Sequence, residues 1–86
     1  MIPVDAAVFR SELLRRLERA KQAGQRQIDV NAGELHRHIG GYPARLHAMP
    51  HCARAMLAER RADDEILTSA TPGHEETLTI RYRLPR

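Results

Sequence analysis

The segment from Ile28 to Arg61 constrains the fold of this chain more than any other part. At its start, polar and β-branched residues alternate over Gln27–Val30, which predicts a short strand. Asn31 and Glu34 follow at the spacing of a capping box. In such a box the Asn31 side chain accepts a hydrogen bond from the Glu34 amide, and the Glu34 side chain reaches back to the Asn31 amide. The strand is therefore predicted to lead directly into a helix.

Two helices are predicted in this segment, separated by a long break. The first carries Leu35 and Ile39 on one face and ends at Gly40. The stretch from Gly40 to Met49 is much longer than the turn of roughly three or four residues in a simple helix-turn-helix, and its role stays open. Pro50 suits the first position of the second helix, Pro50–Arg61. The predicted buried stripe of this helix is Cys52, Ala53, Met56 and Leu57, with His51, Arg54, Ala55, Ala58 and Arg61 opposite.

A supporting helix is predicted before this segment. Asp5 suits its N-cap, and Gly24 follows the basic last turn at the place where a helix commonly ends. The apolar residues recur at helical rather than strand spacing. They form a stripe of Phe9, Leu13, Leu14 and Leu17, extended by Ala6 and Ala20.

A pair of strands is predicted after the segment that ends at Arg61. The first strand is Ile66–Ser69 and the second is Glu76–Leu84, joined by a turn at Thr71–His74. Strict alternation in the second strand predicts a half-buried antiparallel strand. Arg81 and Arg83, on its outer face, either line a contact surface or protect a sheet edge from aggregation. The inner face is Leu78, Ile80, Tyr82 and Leu84.

The predicted order is helix, short strand, helix, helix and two-stranded antiparallel ribbon, which indicates an α+β fold in a single domain spanning residues 1–86. With the capped helix start VNAGEL at residues 30–35, this order resembles the winged helix-turn-helix superfamily. The resemblance implies that Pro50–Arg61 is a DNA recognition helix and that Ser69–Glu76 is the tip of the wing. The string LHRHIGGYPARLHAMPHCARAM, residues 35–56, also resembles a signature of small uncharacterised bacterial proteins, to which no activity is attached.

The charge distribution favours an anionic partner. The net charge is +3, and residues 62–86 hold three basic and five acidic side chains, so the positive charge lies in the helical part. We predict that duplex DNA is this partner. Arg54, Arg61 and His51 would read bases, while Arg37, Arg45 and His47, together with Arg26, would grip phosphates. The alternative interpretation of these residues is a solvated helix surface.

The sequence contains no pattern typical of an enzyme. It has five histidines and one cysteine, Cys52, but no second ligand pair at a zinc-finger spacing, so neither a metal nor a cofactor is predicted. His36 and His38 are expected at or near the surface. Cys52 falls on an apolar stripe, which predicts a small buried hydrophobe rather than a reactive thiol. We expect no catalytic residues and no small-molecule substrate.

A protein-interaction or oligomerisation module on the same fold, such as a homodimer, is the alternative to DNA binding. Apolar runs are no longer than four residues, as in Ala6–Phe9, so no membrane span is predicted. The N-terminus lacks a basic region followed by an apolar run, so no signal peptide is predicted either. We expect a cytoplasmic protein.

Overall fold

A computed structural model of the chain describes residues 6–40, 49–71 and 73–86. These residues form an α+β fold of three helices and a three-stranded antiparallel sheet. The helices are α1 (Ala6–Gln22), α2 (Ala32–Gly40) and α3 (Met49–Glu59). The strands are β1 (Gln27–Asn31), β2 (Glu65–Thr68) and β3 (Thr79–Arg83), and a 3-10 turn at Glu75–Thr77 precedes β3. The predicted order of helices and strands is confirmed.

The sheet has the strand order β1-β3-β2, so β3 is its central strand. Ile80 pairs with Val30 of β1 on one side and with Ile66 of β2 on the other. β1 therefore adds a third strand to the predicted two-stranded ribbon. β3 also begins at Thr79 rather than at the predicted Glu76, because the chain first closes a tight turn in which the Thr77 hydroxyl donates to the His74 carbonyl at 2.9 Å.

The core lies between this sheet and the three helices. Alternation along β3 places four side chains inward as predicted, and all four are buried: Leu78, Ile80, Tyr82 and Leu84. Phe9 and Leu13 of α1, Leu35 of α2 and Met56 of α3 are fully buried in the same cluster. One face of each helix thus covers one face of the sheet.

In the two longer helices, the predicted burial of three side chains is wrong. Leu14 in α1 and Leu57 in α3 were expected in the core but are 37% and 44% exposed, and Ala55 was expected outside but is buried. The buried arc of α3 is centred near Cys52, because the helix packs against both α1 and α2. Leu57 lies beyond one edge of this arc, whereas the small Ala55 fits at the other.

His36 also departs from its expected surface position. It is 6% exposed, and its ring stacks on that of Phe9 with 5.7 Å between ring centroids. This contact ties α2 to α1. His38 is exposed, as predicted.

Local signals at the helix ends are largely confirmed. Gly24 has a φ of +82°, and the Gln25 amide donates to the Ala20 carbonyl at 3.0 Å, as in a Schellman motif. The Glu34 amide donates to Asn31 Oδ1 at 3.0 Å. The return half of the capping box is wrong, since the Glu34 carboxylate pairs with the guanidinium of Arg16 instead.

The ends of α3 differ slightly from the prediction. Pro50 is its second residue rather than its first, and the helix ends at Glu59 rather than at Arg61. The predicted cap Asp5 lies outside the described residues. Among the helices that the structure describes, none is long and apolar enough to cross a membrane.

Candidate nucleic-acid interface

The outward side of α3 is an exposed surface free of acidic side chains, which we call the α3 outer face. It consists of Pro50, Arg54, Leu57 and Ala58. Glu59 is the one acidic residue of this helix, and it turns toward α1, where Arg10 Nε lies 3.3 Å from its carboxylate. A negatively charged partner would therefore meet no carboxylate of α3 on this side.

The carboxyl end of α3 is anchored to the end of the sheet. The Tyr82 hydroxyl donates to the Met56 carbonyl at 2.8 Å, and Arg86 Nη2 donates to the Glu59 carbonyl at 2.5 Å. The Arg86 guanidinium also stacks over the Tyr82 ring, 5.2 Å from its centroid. These bonds satisfy carbonyls of the last helical turn, where the helix macrodipole favours a cation. They fix the direction in which the α3 outer face points.

The buried carboxylate of Asp64 completes this anchor. It accepts hydrogen bonds from the backbone amides of Arg61 at 2.7 Å and Arg83 at 2.8 Å, and from Arg86 Nη1 at both oxygens. Burial alone would raise the pKa of Asp64, but the hydrogen bonds from Arg83, Arg61 and Arg86 outweigh it and hold that pKa below its usual value. The sequence offered no sign of this role, because Asp64 stands in an acidic run that looks like a solvated loop.

The arginines of the sheet are engaged in cross-strand pairs. Arg81 donates to both carboxylate oxygens of Asp29 at 2.8 and 3.1 Å, and Arg83 lies 3.8 Å from the carboxylate of Glu65. Since β3 is central, neither arginine protects a sheet edge, and that prediction is wrong. Both instead connect β3 to a flanking strand.

The arginines of α2 and α3 differ from those of the sheet. Neither Arg37 nor Arg54 has an ion pair with any residue in the described ranges, and both are exposed. By contrast, Arg15 and Arg16 of α1 pair with Glu12. Arg54 thus has no ion-pair partner among the described residues, on the helix that the sequence proposes for DNA recognition.

The six predicted contact residues do not converge on one described surface. Arg54 lies on the α3 outer face, His51 is half-buried in α3, and Arg37 projects from α2. Arg61 follows α3 and lines shallow depressions beside α1 and Arg86, away from Arg37. The remaining two, Arg45 and His47, lie outside the described residues, as does most of the long break between α2 and α3.

A groove of about 680 Å³ is lined by residues of α2, the start of α3 and the turn that precedes β3. Arg37 lines one wall, and Glu75 and Glu76 line another. The remaining lining residues are Gly33, His36, Met49, Pro50, Gly73 and His74. Carboxylates at this position would repel a phosphate backbone, so the predicted wing tip is a poor DNA contact.

This turn is held against the start of α2 rather than extended from the sheet. Asn31 Nδ2 donates to the carbonyls of Glu76 at 3.1 Å and Leu78 at 3.3 Å. Gly33 suits this packing, because a Cβ there would lie 3.1 Å from the Glu76 carbonyl oxygen, which is tighter than an ordinary van der Waals contact. The glycine of VNAGEL therefore permits a close backbone approach that sequence spacing alone did not reveal.

The described residues contain no group of three or more His, Cys, Asp and Glu side chains that could hold a metal ion. Cys52 is fully buried, and its thiol donates to the Ala32 carbonyl with 3.4 Å between Sγ and oxygen. Burial raises the pKa of this thiol to about 12, so it stays protonated and unreactive at neutral pH.

The sequence matches no protein-family model, and comparisons with curated proteins and with solved structures likewise gave no match.

Proposed function

We propose that this chain is a cytoplasmic winged helix-turn-helix module that binds duplex DNA through α3. The order of its elements and the sheet order β1-β3-β2, in which the first strand joins the ribbon, support the fold assignment. The observation that carries the function is the α3 outer face, where Arg54 is exposed and has no ion pair with any described residue.

In this proposal α3 enters the major groove, which is wide enough for one α-helix. Arg54 donates two hydrogen bonds to a guanine, with His51 beside it. Arg37, together with Arg45 and His47, would contact phosphates. The acidic turn at 75–76 would repel the phosphate backbone, so contact depends on the helices more than on the wing.

Titration with duplex DNA at about 50 and 200 mM salt tests the proposal. Affinity is expected to fall with salt, with a slope of roughly −0.9 in log–log form for each phosphate contacted. Arg54→Gln is expected to weaken binding roughly tenfold, because it removes a bidentate donor. Arg15→Gln is the matched control, since Arg15 is also exposed but is paired with Glu12. Absence of binding at the lower salt would overturn the proposal.

A protein-interaction or oligomerisation module is the second candidate function. The groove beside α2 favours it, because opposite charges on its walls, Arg37 against Glu75 and Glu76, suit a mixed-charge surface better than a polyanion. Light scattering over a wide concentration range tests the homodimer. A mass above the 9.8 kDa of one chain is expected, and a mass of one chain at every concentration contradicts self-association.

A further inference from the structure

Leu57 is an apolar side chain exposed at one edge of the α3 outer face. It is 44% exposed and stands three residues after Arg54 on the same helix. The large hydrophobics that are exposed in the described ranges are Leu14, Leu57 and Leu67. Of these, only Leu57 lies on α3, beside an arginine that has no acidic partner in the described ranges. This pairing calls for a partner that offers an apolar group and an anionic or acceptor group close together.

The spacing of the two side chains matches neighbouring base pairs. Residues three apart on an α-helix lie on one face and are separated by about 4.5 Å along the axis. Successive base pairs of duplex DNA are about 3.4 Å apart. A helix lying in the major groove can therefore present Arg54 to one base pair and Leu57 to the next. Ala58, which is small and exposed, allows the helix to approach closely.

The chemistry of the two side chains selects particular bases. An arginine donates to O6 and N7 of guanine, and an apolar side chain contacts the 5-methyl group of thymine. We infer that Arg54 and Leu57 together read a guanine and an adjacent thymine, with Leu57 packed on the thymine methyl. This inference rests on the proposed function, since it specifies the sequence preference of the same helix.

Duplex DNA fits this surface better than a protein partner does. Arg54 has no ion pair within the described residues, and the acidic residue of α3, Glu59, is held by Arg10 on the far side. The surface therefore combines the unpaired positive charge of Arg54 with the exposed side chain of Leu57. Charge complementarity favours a polyanion whose base edges carry methyl groups.

Two duplexes of alternating sequence, each roughly two helical turns or about 20 base pairs long, test the inference directly. One strand alternates dG with dT, and in the second probe dU replaces every dT, which removes the methyl group and leaves base pairing unchanged. We expect wild-type protein to bind the dT duplex about fourfold more tightly, which corresponds to about 0.8 kcal/mol for one buried carbon group.

Three variants complete the experiment. Leu57→Ala is expected to bind both duplexes equally, because it has lost the methyl contact, while Arg54→Gln keeps the dT preference but binds both duplexes more weakly. Leu14→Ala is the matched control: Leu14 is 37% exposed, lies on α1, and its loss should leave the fourfold preference intact.

The outcomes separate the inference from the proposed function. Equal binding of the two duplexes by wild-type protein would overturn the inference that Leu57 contacts the thymine methyl group, while DNA binding itself would stand. A dT preference that survives Leu57→Ala would also overturn it. Failure of both duplexes to bind at about 50 mM salt would overturn the proposed function and the inference together.

Discussion

The carboxylate of Asp64 joins the segment that follows α3 to the C-terminal segment, whose Arg83 and Arg86 lie 19 and 22 residues later in the sequence. Its side chain is fully buried, the side chain of Arg86 is 8% exposed, and the amides of Arg61 and Arg83 bind the same two oxygens. A buried ion pair adds little when compared with a well-packed apolar pair, but the loss of one member leaves the other charged and unsolvated. Replacement of Asp64 is therefore expected to lower the stability of the fold severely.

We predict that Asp64→Asn lowers the free energy of unfolding by about 3 kcal/mol at pH 7, measured by urea denaturation. Because the pKa of Asp64 is lowered in the folded protein, its stabilisation is complete above the unfolded pKa of about 3.9 and is lost as pH falls through the folded value. The difference between wild type and variant should thus shrink below about pH 4.

The exposed neighbour Asp63 supplies the control. Asp63→Asn is expected to change the free energy of unfolding by less than about 0.5 kcal/mol at either pH, as for other surface substitutions. A similar loss of stability in the two variants would contradict the role given to Asp64.

At the scale of elements, Asn31 connects β1, α2 and the turn before β3. Its side-chain oxygen caps α2, and its side-chain nitrogen donates to Glu76 and Leu78 carbonyls and to Thr79 Oγ1 at 3.0 Å. An ordinary N-cap uses only the oxygen, and aspartate serves there as well as asparagine. At this position both halves of the amide are in use.

We therefore predict that Asn31→Asp is destabilising, by about 1 kcal/mol, although aspartate is a good N-cap. The new carboxylate would face two backbone carbonyls instead of donating to them. Asn31→Ala, which loses the cap as well, should cost about 2 kcal/mol. Thermal denaturation of the two variants at pH 7 measures both effects. If Asn31→Asp is as stable as wild type, the turn at 75–77 is not held by the Asn31 nitrogen.

Local signals in the sequence predicted most of the elements, because each depends on a few neighbouring residues. Gly24, the Asn31 cap and the alternation along β3 are of this kind. Features that depend on distant packing were not predictable. The exposure of Leu57 follows from how α3 lies between α1 and α2, and the partner of Glu34 is an arginine 18 residues away. The Asp64 anchor needs β3 and the end of α3 to meet.

At the scale of the whole molecule, the described arginines of the sheet differ from Arg54 of α3 in having acidic partners. Arginines on the outer face of the sheet are compensated by carboxylates of the flanking strands, as Arg81 is by Asp29. On α3, Arg54 has no such partner within the described part of the chain, and Leu57 stands exposed beside it. Under the proposed function, the α3 outer face is the surface assigned to an anionic partner.

Mapping of backbone amide shifts by NMR, as a duplex of about 20 base pairs is added at about 50 mM salt, tests this assignment most directly. We expect the largest shifts at Arg54, Leu57 and Ala58, with small shifts at Arg81 and Arg83. Raising the salt to about 200 mM should reverse them. Shifts confined to the sheet, or no shifts on α3 at either salt concentration, would contradict the claim that this helix binds duplex DNA.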